Sequence, residues 1–315
     1  MGDHRPTVLS AVIVSWNTRD LLARSLQSLH DHGPTSCTQE VVVVDNGSDD
    51  GSAELVREEW PDVQLVTNDR NAGYQRACNQ GIRASKGDVV LLINADAWVT
   101  PGAVDALVDR MAGDPSAGAV GPRLVYGDGS WQRWTAGCDP SLPAVASFYL
   151  GLERLSTRLA ARSLYLASDT AAAFNPEWLS SACLLVRRQA LDAVGLLDER
   201  YRCYMDDVDI CARLRGAGWR IWYEPTAEVV HLMGASTRRQ TGGPSPAAIV
   251  NFNHYFGRQH GPAAATAARA IEMLGFGARA ALYGLHAFGP DGAANRRRAA
   301  DHARNARVTL RRGFV

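Results

Sequence analysis

The sequence lacks the features that mark secreted, membrane-spanning and nucleic-acid-binding proteins. Its six cysteines form no Cys-x-x-Cys pair, which argues against a zinc site and against a secreted disulfide framework. The first residues lack the apolar core and cleavage site of a signal peptide, and no stretch is long and uncharged enough to span a bilayer. Lys plus Arg equals Asp plus Glu at 33 each, so no overall charge attracts nucleic acid. We therefore expect a cytoplasmic protein with no nucleic-acid partner.

The hydrophobic runs that the chain does have are short, and they alternate with helical patterns. Five apolar residues in a row at 89–93 predict a strand buried on both faces of a parallel sheet, because a half-exposed strand would alternate. Shorter or similar runs lie at 8–14, 41–44 and 63–66, with helical spacing between them. The sequence therefore predicts an α/β fold with a Rossmann-like, doubly wound, mostly parallel sheet.

Polar side chains follow the predicted strands at the points where the apolar runs end. These residues are Asn17, Asp45, Asn94 and Asp96. The carboxyl ends of parallel strands meet at one edge of a sheet, and ligands bind in the crevice outside that edge. No Gly-x-Gly-x-x-Gly follows the first strand, which argues against a nicotinamide dehydrogenase. We expect a ligand site at this edge, built without that phosphate-binding loop.

A predicted helix from residue 206 opens on acidic residues. Asp207 shares a stripe with Cys211 and Leu214, which predicts that its carboxylate points inward, where it must be paired or used. Asp206 is interpreted as a helix cap, and so is Asp209, which lies four residues before Arg213 on another face. Asp207 is therefore the candidate for chemistry.

Asp96 and His231 each have a structural and a functional interpretation. Asp96 could end a turn before the helix that starts near Pro101, or it could hold a hard divalent cation through oxygen. His231 follows a strand-like run at 227–230, and a lone histidine is more often structural. Residues 123–177 show a weaker pattern and are interpreted as a variable insertion that shapes an acceptor site.

Eight short motifs in one order resemble the family 2 glycosyltransferases of the GT-A fold, and among them the bacterial rhamnosyltransferase-like group. The motifs span about residues 8 to 260. They are Val14-Ser15-Trp16-Asn17, Val44-Asp45-Asn46-Gly47-Ser48, Asn71-Ala72-Gly73-Tyr74 with Asn79, Asn94-Ala95-Asp96, the stretch 178–188, the stretch 195–199, Asp206-Asp207-Val208-Asp209, and His231 with Gly234 and Ser236.

This resemblance implies a role for each matching residue. Asp45 would contact the nucleobase or ribose, Asp207 would be the general base, and Asp96 would bind the metal. His231 would contact the metal or the diphosphate. The other implied donor contacts are Asn17, Asn46, Asn71, Gly73, Asn79 and Asn94. Asn94 replaces the first acid of the usual D-x-D motif, and Asp206 replaces the usual Glu before the base.

The activity implied is that of an inverting glycosyltransferase with a Mg²⁺ or Mn²⁺ cofactor. The donor would be a nucleoside-diphosphate sugar, either TDP-linked rhamnose or another deoxysugar, or a UDP-linked sugar. The acceptor would be the hydroxyl of a lipid-linked saccharide or of a soluble natural product. The main alternative is a nucleotide-sugar binding module without turnover, and a dehydrogenase ranks below both.

The last part of the chain is expected to be a helical, basic extension. We predict a catalytic domain over 1–260, with a nucleotide-sugar half at 1–122 and an acceptor half at 123–260, followed by the extension at 261–315. Arg269, Glu272, Arg279 and His286 fall on one helical stripe. The other faces are apolar and carry Ile271, Met273, Leu274, Phe276, Leu282 and Leu285.

Two interpretations of this extension stay open. A helix packed on the catalytic domain with a solvated basic tail is one, and peripheral membrane contact through its apolar face and arginines is the other. Gly275 and Gly277 weaken the middle of the pattern, so the sequence is compatible with one helix or with two shorter ones.

Overall fold

The computed structural model describes residues 6–201, 204–232, 245–288 and 291–310. The chain divides into two compact units. The first combines residues 1–136, 168–202 and 206–238, and the second combines 137–167, 203–205 and 239–315. The second unit therefore joins part of the predicted insertion to the C-terminal helices. The sequence-predicted boundary at residue 260 lies next to Gly261, where the helical element Pro246–Leu285 is broken.

The first unit is built on an eight-stranded sheet with the order β3-β2-β1-β4-β9-β6-β10-β5. The strands of the chain are β1 (Val8–Ser15), β2 (Thr38–Asp45), β3 (Gln64–Thr67), β4 (Val89–Asn94), β5 (Ala97–Val99), β6 (Ala117–Val125), β7 (Ala136–Gly137), β8 (Trp178–Leu179), β9 (Cys183–Arg187) and β10 (Arg220–His231). Among the described strands of this sheet, four of the seven pairings are parallel. The predicted mostly parallel α/β sheet is confirmed.

Helices alternate with the first strands, as their apolar spacing predicted. The helices of the chain are α1 (Arg19–His32), α2 (Ser52–Glu59), α3 (Tyr74–Ala84), α4 (Ala103–Gly113), α5 (Leu142–Tyr149), α6 (Thr157–Ala160), α7 (Arg188–Val194), α8 (Asp206–Gly216), α9 (Pro246–Leu285) and α10 (Gly292–Val308). Residues 89–93 are fully buried in the centre of the sheet. Helix α3 lies close to the sheet, because a Cβ added to Gly81 would stand 2.3 Å from Val12 Cγ1.

The apolar stretch 178–186, part of one of the quoted motifs, forms two strands with a turn between them. Ser180 and Ser181 interrupt the apolar run, and β9 resumes at Cys183. Strand β9 runs antiparallel to both β4 and β6, between which it is inserted. The direction of a strand depends on how the chain returns to the sheet, and an apolar run alone does not encode it.

The second unit is helical and has its own core. Phe148 of α5 packs there with Ile249, Phe256 and Phe276 of α9. Helix α9 breaks at Gly261, whose φ of +82° lies in the left-handed region, and Pro262 begins the next segment. The helix then continues through Gly275 and Gly277, so one helix and not two covers 262–285. Within the described ranges, no helix is both long enough and apolar enough to cross a membrane.

Candidate active site

The polar residues predicted at the strand ends do meet at one edge of the sheet. Strand β1 lies between β2 and β4, and Ser15 is paired with Asp45 while Val14 is paired with Asn94. Asp45 and Asn94 therefore lie on either side of β1, beside its last two residues. Asp96 follows two residues beyond Asn94, at the turn into β5.

Asp45 presents a buried carboxylate oxygen that no described residue of the protein hydrogen-bonds. The backbone N–H of Ser48 donates to Asp45 Oδ2 at 3.1 Å, whereas Oδ1 is buried and has no partner among the described residues. Buried polar atoms are nearly always paired, so an unpaired acceptor at a sheet edge fits a ligand that brings a donor. A nucleobase N–H or a ribose hydroxyl is such a donor.

Asn17 joins the loop after β1 to the loop after β2. Its φ is +53°, a conformation that Asn adopts more readily than most residues, and its N–H donates to Ser48 Oγ at 3.0 Å. The N–H of Asp49 donates to Asn17 Oδ1 at 2.9 Å. The side chain thereby shapes the rim of the Asp45 site.

Asn46 organises the next loop. Its Oδ1 accepts from the N–H of Ala72 at 3.0 Å and from Asn68 Nδ2 at 3.1 Å, and its Nδ2 donates to Asn71 Oδ1 at 3.2 Å. Gly73 has a φ of +93°, which favours glycine, and its N–H donates to Asn71 Oδ1. Asn46, Asn71 and Gly73 thus hold the entry to α3.

Asn79 is fully engaged with the protein. Its Nδ2 donates to Leu197 O at 2.9 Å and to Glu199 Oε1 at 3.0 Å, while Oδ1 accepts from the N–H of Leu197 at 3.0 Å. The amide is buried and ties α3 to the turn at 195–199. Both ends of the Asn79 amide are therefore used within the protein. Contact of Asn79 with the donor, which the family resemblance implies, stays a prediction.

Asp96 and His231 come together although 135 positions separate them in the sequence. His231 ends β10 opposite Ala97 of β5, and its Nε2 lies 3.4 Å from Asp96 Oδ1 and 3.5 Å from Asn94 Nδ2. The N–H of Leu232 also donates to the Asp96 carbonyl at 3.0 Å. Both side chains are buried, so the lone histidine of the sequence has a defined acidic neighbour.

Gln132 fixes the orientation of the His231 ring. The Gln132 Nε2 donates to the carbonyl oxygens of Val125 and His231, so Oε1 is the acceptor that faces His231 Nδ1 at 3.1 Å. Nδ1 therefore carries a hydrogen, and Nε2 is the ring nitrogen that faces Asp96 and Asn94. Such an outer partner is what keeps a metal-binding histidine in one tautomer.

The donor atoms at this edge fit a divalent cation that is held partly by its substrate. No group of three or more His, Cys, Asp or Glu side chains that could hold a metal occurs within the described parts of the chain. Asp96 and His231 supply one carboxylate and one imidazole, and Asn94 adds an amide. Mg²⁺ and Mn²⁺ sites in nucleotide enzymes commonly use one or two carboxylates and complete their coordination with phosphate oxygens.

The acidic start of α8 differs from the sequence-based interpretation. Asp206 is not a simple cap, because it is buried and accepts from Gln75 Nε2 at 3.0 Å and from Ser181 Oγ at 2.8 Å. Asp207 is half-buried, and its Oδ1 accepts the N–H of Val208 at 2.9 Å. Asp209 binds Arg213 Nε at 2.8 Å, which confirms the predicted i, i+4 pair.

The pKa of Asp207 depends on its burial and on the neighbouring carboxyl of Asp206. Burial, and then the charge of Asp206, raise the pKa of Asp207 to about 8. Burial also raises the pKa of Asp206, although the Ser181 and Gln75 hydrogen bonds act in the opposite direction. A carboxylate with a raised pKa is a stronger base than an ordinary one once it has lost its proton.

Tyr74 connects the strand edge to this acidic pair. Its hydroxyl donates to Asn94 Oδ1 at 2.9 Å and lies 3.4 Å from the Ser181 carbonyl, while Ser181 Oγ reaches Asp206. Asn94 and Asp206 thus belong to one polar network. Sequence analysis did not assign roles to Tyr74, Ser181 or Gln132. The first two lie inside quoted motifs, whereas Gln132 lies in an irregular stretch with no pattern to reveal it.

The sequence-predicted site residues fall into four groups. Six lie on or beside the loops at the sheet edge, namely Asn17, Asp45, Asn46, Asn71, Gly73 and Asn94. Asp96 and His231 form a pair there, Asp207 follows Asp206 of the polar network, and Asn79 ties α3 to the turn at 195–199. Gly234 and Ser236 of the last motif lie outside the described residues.

Comparison with solved structures identifies the fold of the chain. The crystal structure of GalNAc-T7 with UDP, GalNAc and Mn²⁺ matches 96% of this chain and 55% of its own, with a TM-score of 0.57 and 16% identity. The mannosyltransferase PcManGT from Pyrobaculum calidifontis, in complex with GDP-Man and Mn²⁺, matches 97% of this chain and 87% of its own, with a TM-score of 0.53 and 19% identity. The GT-A fold is therefore confirmed.

Sequence relatives give the family. The N-acetylglucosaminyl-diphospho-decaprenol L-rhamnosyltransferase of Mycobacterium tuberculosis is 35% identical over 250 residues, which cover 74% of this chain and 78% of the relative. The O-antigen biosynthesis protein RfbC of Myxococcus xanthus is 28% identical over 74% of this chain and 18% of its own length. The model of the family "Glycosyl transferase family 2" matches residues 10–182. The chain belongs to glycosyl transferase family 2 and is a glycosyltransferase.

Proposed function

We propose that this glycosyltransferase inverts the anomeric centre of a nucleoside-diphosphate sugar, with Asp207 as the general base. The observation that carries the proposal is the carboxyl of Asp207, which is half-buried at the start of α8 beside buried Asp206 and has a raised pKa. A single base in this position suits direct displacement. The acceptor oxygen attacks the anomeric carbon, the bond to the diphosphate breaks, and Asp207 takes the hydroxyl proton.

The strand edge supplies the donor site in this proposal. The unpaired Oδ1 of Asp45 accepts from the nucleobase or ribose, and Asn17 and Asn46 hold the loops around it. Asp96, Asn94 and the Nε2 of His231 would hold Mg²⁺ or Mn²⁺, with Gln132 orienting the ring. When bound, that ion neutralises charge on the leaving diphosphate. The Mn²⁺ and nucleotide ligands of the two structural relatives support this arrangement.

The relatives also favour a particular donor and acceptor class. We propose a TDP-linked or UDP-linked donor, with rhamnose or another deoxysugar as the transferred group, because the mycobacterial relative is a rhamnosyltransferase. That relative is named for a decaprenol-linked acceptor. The undecaprenyl-phosphate 4-deoxy-4-formamido-L-arabinose transferase of Pseudomonas aeruginosa is 36% identical over 30% of this chain and 29% of its own length. We therefore propose a lipid-linked saccharide as acceptor, reached from the cytoplasm, in preference to a soluble natural product.

The Asp207→Asn variant tests the proposed base. An amide cannot accept the proton, so donor affinity should persist while turnover falls by about 10²- to 10⁴-fold. The measurement is loss of sugar from the donor, by transfer or by hydrolysis, together with donor affinity. Asp192→Asn is the matched control, because Asp192 is exposed on α7 and lies outside the site network.

Two outcomes would contradict the proposal. Near-normal turnover in Asp207→Asn would remove Asp207 from the role of base. A wild-type protein that binds the nucleotide sugar but neither transfers nor hydrolyses it would favour the nucleotide-sugar binding module. Membership in a glycosyltransferase family leaves no support for the dehydrogenase alternative.

A further inference from the structure

The second segment of α9 buries a carboxyl group and exposes large apolar side chains. A surface helix usually packs apolar side chains inward and leaves charged groups in water. Here Glu272 is 0% exposed and lies among buried apolar residues such as Phe276, whereas Leu274 is 66% exposed. One polar residue of the predicted stripe is therefore buried within the helical unit, and the opposite side of the helix exposes large apolar side chains.

Contacts within the unit hold the helix in this rotation. Glu272 Oε2 accepts from Asn253 Nδ2 at 2.9 Å, and burial raises the pKa of Glu272 to about 8. Arg279 donates through Nη2 to the Phe148 carbonyl at 2.9 Å, and its guanidinium lies 5.5 Å from the centre of the Phe148 ring. Two titratable side chains, Glu272 and Arg279, are thus built into the packing. Turning them to solvent would break these contacts.

The outward side forms a continuous apolar face, which we define by Leu274, Leu282, Leu285 and Phe288. Their exposed fractions are 66%, 52%, 78% and 94%. The three leucines are separated by eight and three positions, which places them on one side of a helix, and Phe288 follows three positions later in the adjoining turn. The other exposed positions between Leu274 and Phe288 are Gly277, Ala278, Ala281 and His286, so no Asp, Glu, Lys or Arg is exposed there. Large apolar patches of this kind on a protein surface mark an interaction site.

Arginines border the C-terminal end of this face. Arg296 donates through Nη1 to the Ala287 carbonyl at 2.9 Å, and the Arg298 guanidinium lies 5.6 Å from the centre of the Tyr283 ring. Arg297 between them is exposed. Over residues 291–310 the sequence has five arginines and two acidic residues, so the helix that follows the face is positively charged.

We propose that this apolar face binds the interface of an anionic lipid membrane, with Leu282, Leu285 and Phe288 inserted among the acyl chains. A helix with exposed apolar residues and flanking arginines fits such a surface, because the side chains leave water while the cations meet lipid phosphates. A second copy of the chain is the poorer partner, since a self-complementary contact would bring like-charged arginine clusters together.

The proposed lipid-linked acceptor explains why this protein would bind a membrane, and the inference rests on the proposed function in that respect alone. Vesicle binding is measured without donor, acceptor or turnover, so failure of the membrane surface and failure of the proposed catalysis can be told apart. The test is flotation of the full chain with vesicles of phosphatidylglycerol and phosphatidylcholine, at low and high salt, against vesicles of phosphatidylcholine alone.

We expect wild-type protein to float with the anionic vesicles at low salt and to be released by high salt. Leu282→Glu with Leu285→Glu should weaken this binding by at least about tenfold, because the two carboxylates would enter the lipid interface. The control is Gln64→Glu with Ala193→Glu, which adds the same charge at exposed positions of the other unit. Arg296→Gln, Arg297→Gln and Arg298→Gln together should remove most of the salt dependence.

Failure of wild-type protein to bind anionic vesicles would overturn the proposal, and so would equal binding by the Leu282→Glu, Leu285→Glu variant and its control. A wild-type dimer that ignores vesicles and that this variant disperses would identify the face as a contact between copies instead. Melting temperatures of all variants show that they fold, and the exposure of both leucines makes loss of folding unexpected.

Discussion

At the scale of single residues, the functional question centres on two adjacent carboxyls with different surroundings. Asp206 is buried and hydrogen-bonded to two elements, while Asp207 is half-buried and available to an acceptor. The negative charge of Asp206 raises the pKa of Asp207. Asp206 therefore acts on the proposed reaction through its neighbour, as a positioning residue that also tunes the base.

Asp206→Asn should move the pH dependence of turnover toward lower pH. A general base works above its own pKa, and removing the adjacent charge lowers the pKa of Asp207, so activity should persist further into acid. Asn can keep both hydrogen bonds, because its oxygen can accept from Gln75 and its N–H can donate to Ser181. The measurement is the acidic limb of kcat against pH, with Asp192→Asn as control. An unchanged or upward-shifted limb would mean that Asp206 does not set the basicity of Asp207.

At this scale, sequence reasoning predicted functional residues where a polar side chain is costly to bury without a partner, and their roles stay predictions. The carboxylates of Asp207, Asp45 and Asp96 could be singled out from the sequence because each follows or shares a pattern of apolar residues, where a charged group is costly to bury. The hydrogen-bonding roles of Asp206 and Gln132 could not be predicted from the sequence. Their partners lie 131 and 99 positions away, on α3 and β10, so only the folded chain brings them together.

At the scale of elements, α9 shows that the effect of a glycine depends on its neighbours. Gly275 and Gly277 are two positions apart and both helical, yet they meet different surroundings. A Cβ at Gly275 would stand 2.4 Å from the Tyr149 carbonyl oxygen of α5, whereas a Cβ at Gly277 would meet nothing within 4 Å. The absence of a side chain at Gly275 therefore permits the close approach of α5 and α9, whereas Gly277 takes no part in this contact.

Gly275→Ala and Gly277→Ala should change stability in opposite directions. The first forces α5 and α9 apart and should lower the free energy of unfolding by about 1 to 3 kcal/mol. The second adds helix propensity on an exposed face and should raise it by about 0.4 to 1 kcal/mol. Chemical denaturation of the two variants measures both changes. Equal effects of the two substitutions would contradict the close approach of α5 to α9.

Elements were predicted well where local pattern is enough. The starts of β4 and α8 lie at their predicted positions, since an apolar run marks the first and acidic residues mark the second. The antiparallel direction of β9 and the burial of Glu272 on α9 were not predicted. Both depend on partners distant in the chain, and an amphipathic pattern does not say which of its faces a neighbour covers.

At the scale of the whole molecule, ligand binding should appear as added stability. A nucleotide that binds only the folded state at about 100 times its Kd contributes about 2.7 kcal/mol. We expect UDP or TDP with Mn²⁺ to raise the melting temperature, Asp45→Ala to abolish most of the increase, and Asp96→Ala to remove only its metal-dependent part. No stabilisation by UDP, TDP or GDP, with or without Mn²⁺, would contradict the donor site proposed at the sheet edge.

The fold class could be predicted from the sequence, because short apolar runs alternate with helical patterns. The division of the chain into two compact units could not. Residues 137–167 lie in the same compact unit as the C-terminal helices, although about 80 residues of sheet and α8 separate them in sequence. Composition changes gradually along the chain, and Gly261, where α9 breaks, resembles many other glycines in the sequence. A boundary read from composition cannot show which separated segments share a core.

Strand β9 lies between β4 and β6 in the sheet, but the ribosome makes it after both of them. Strand β4 ends at Asn94 and β6 at Val125, but the strand that pairs with both arrives only at residues 183–187. At about 5 to 20 residues per second, the apolar edge of β4 waits several seconds during synthesis without its native neighbour. An unpaired apolar edge is a template for pairing with other chains. The nascent protein should therefore need chaperone protection most during translation of α5, α6 and the residues before β9.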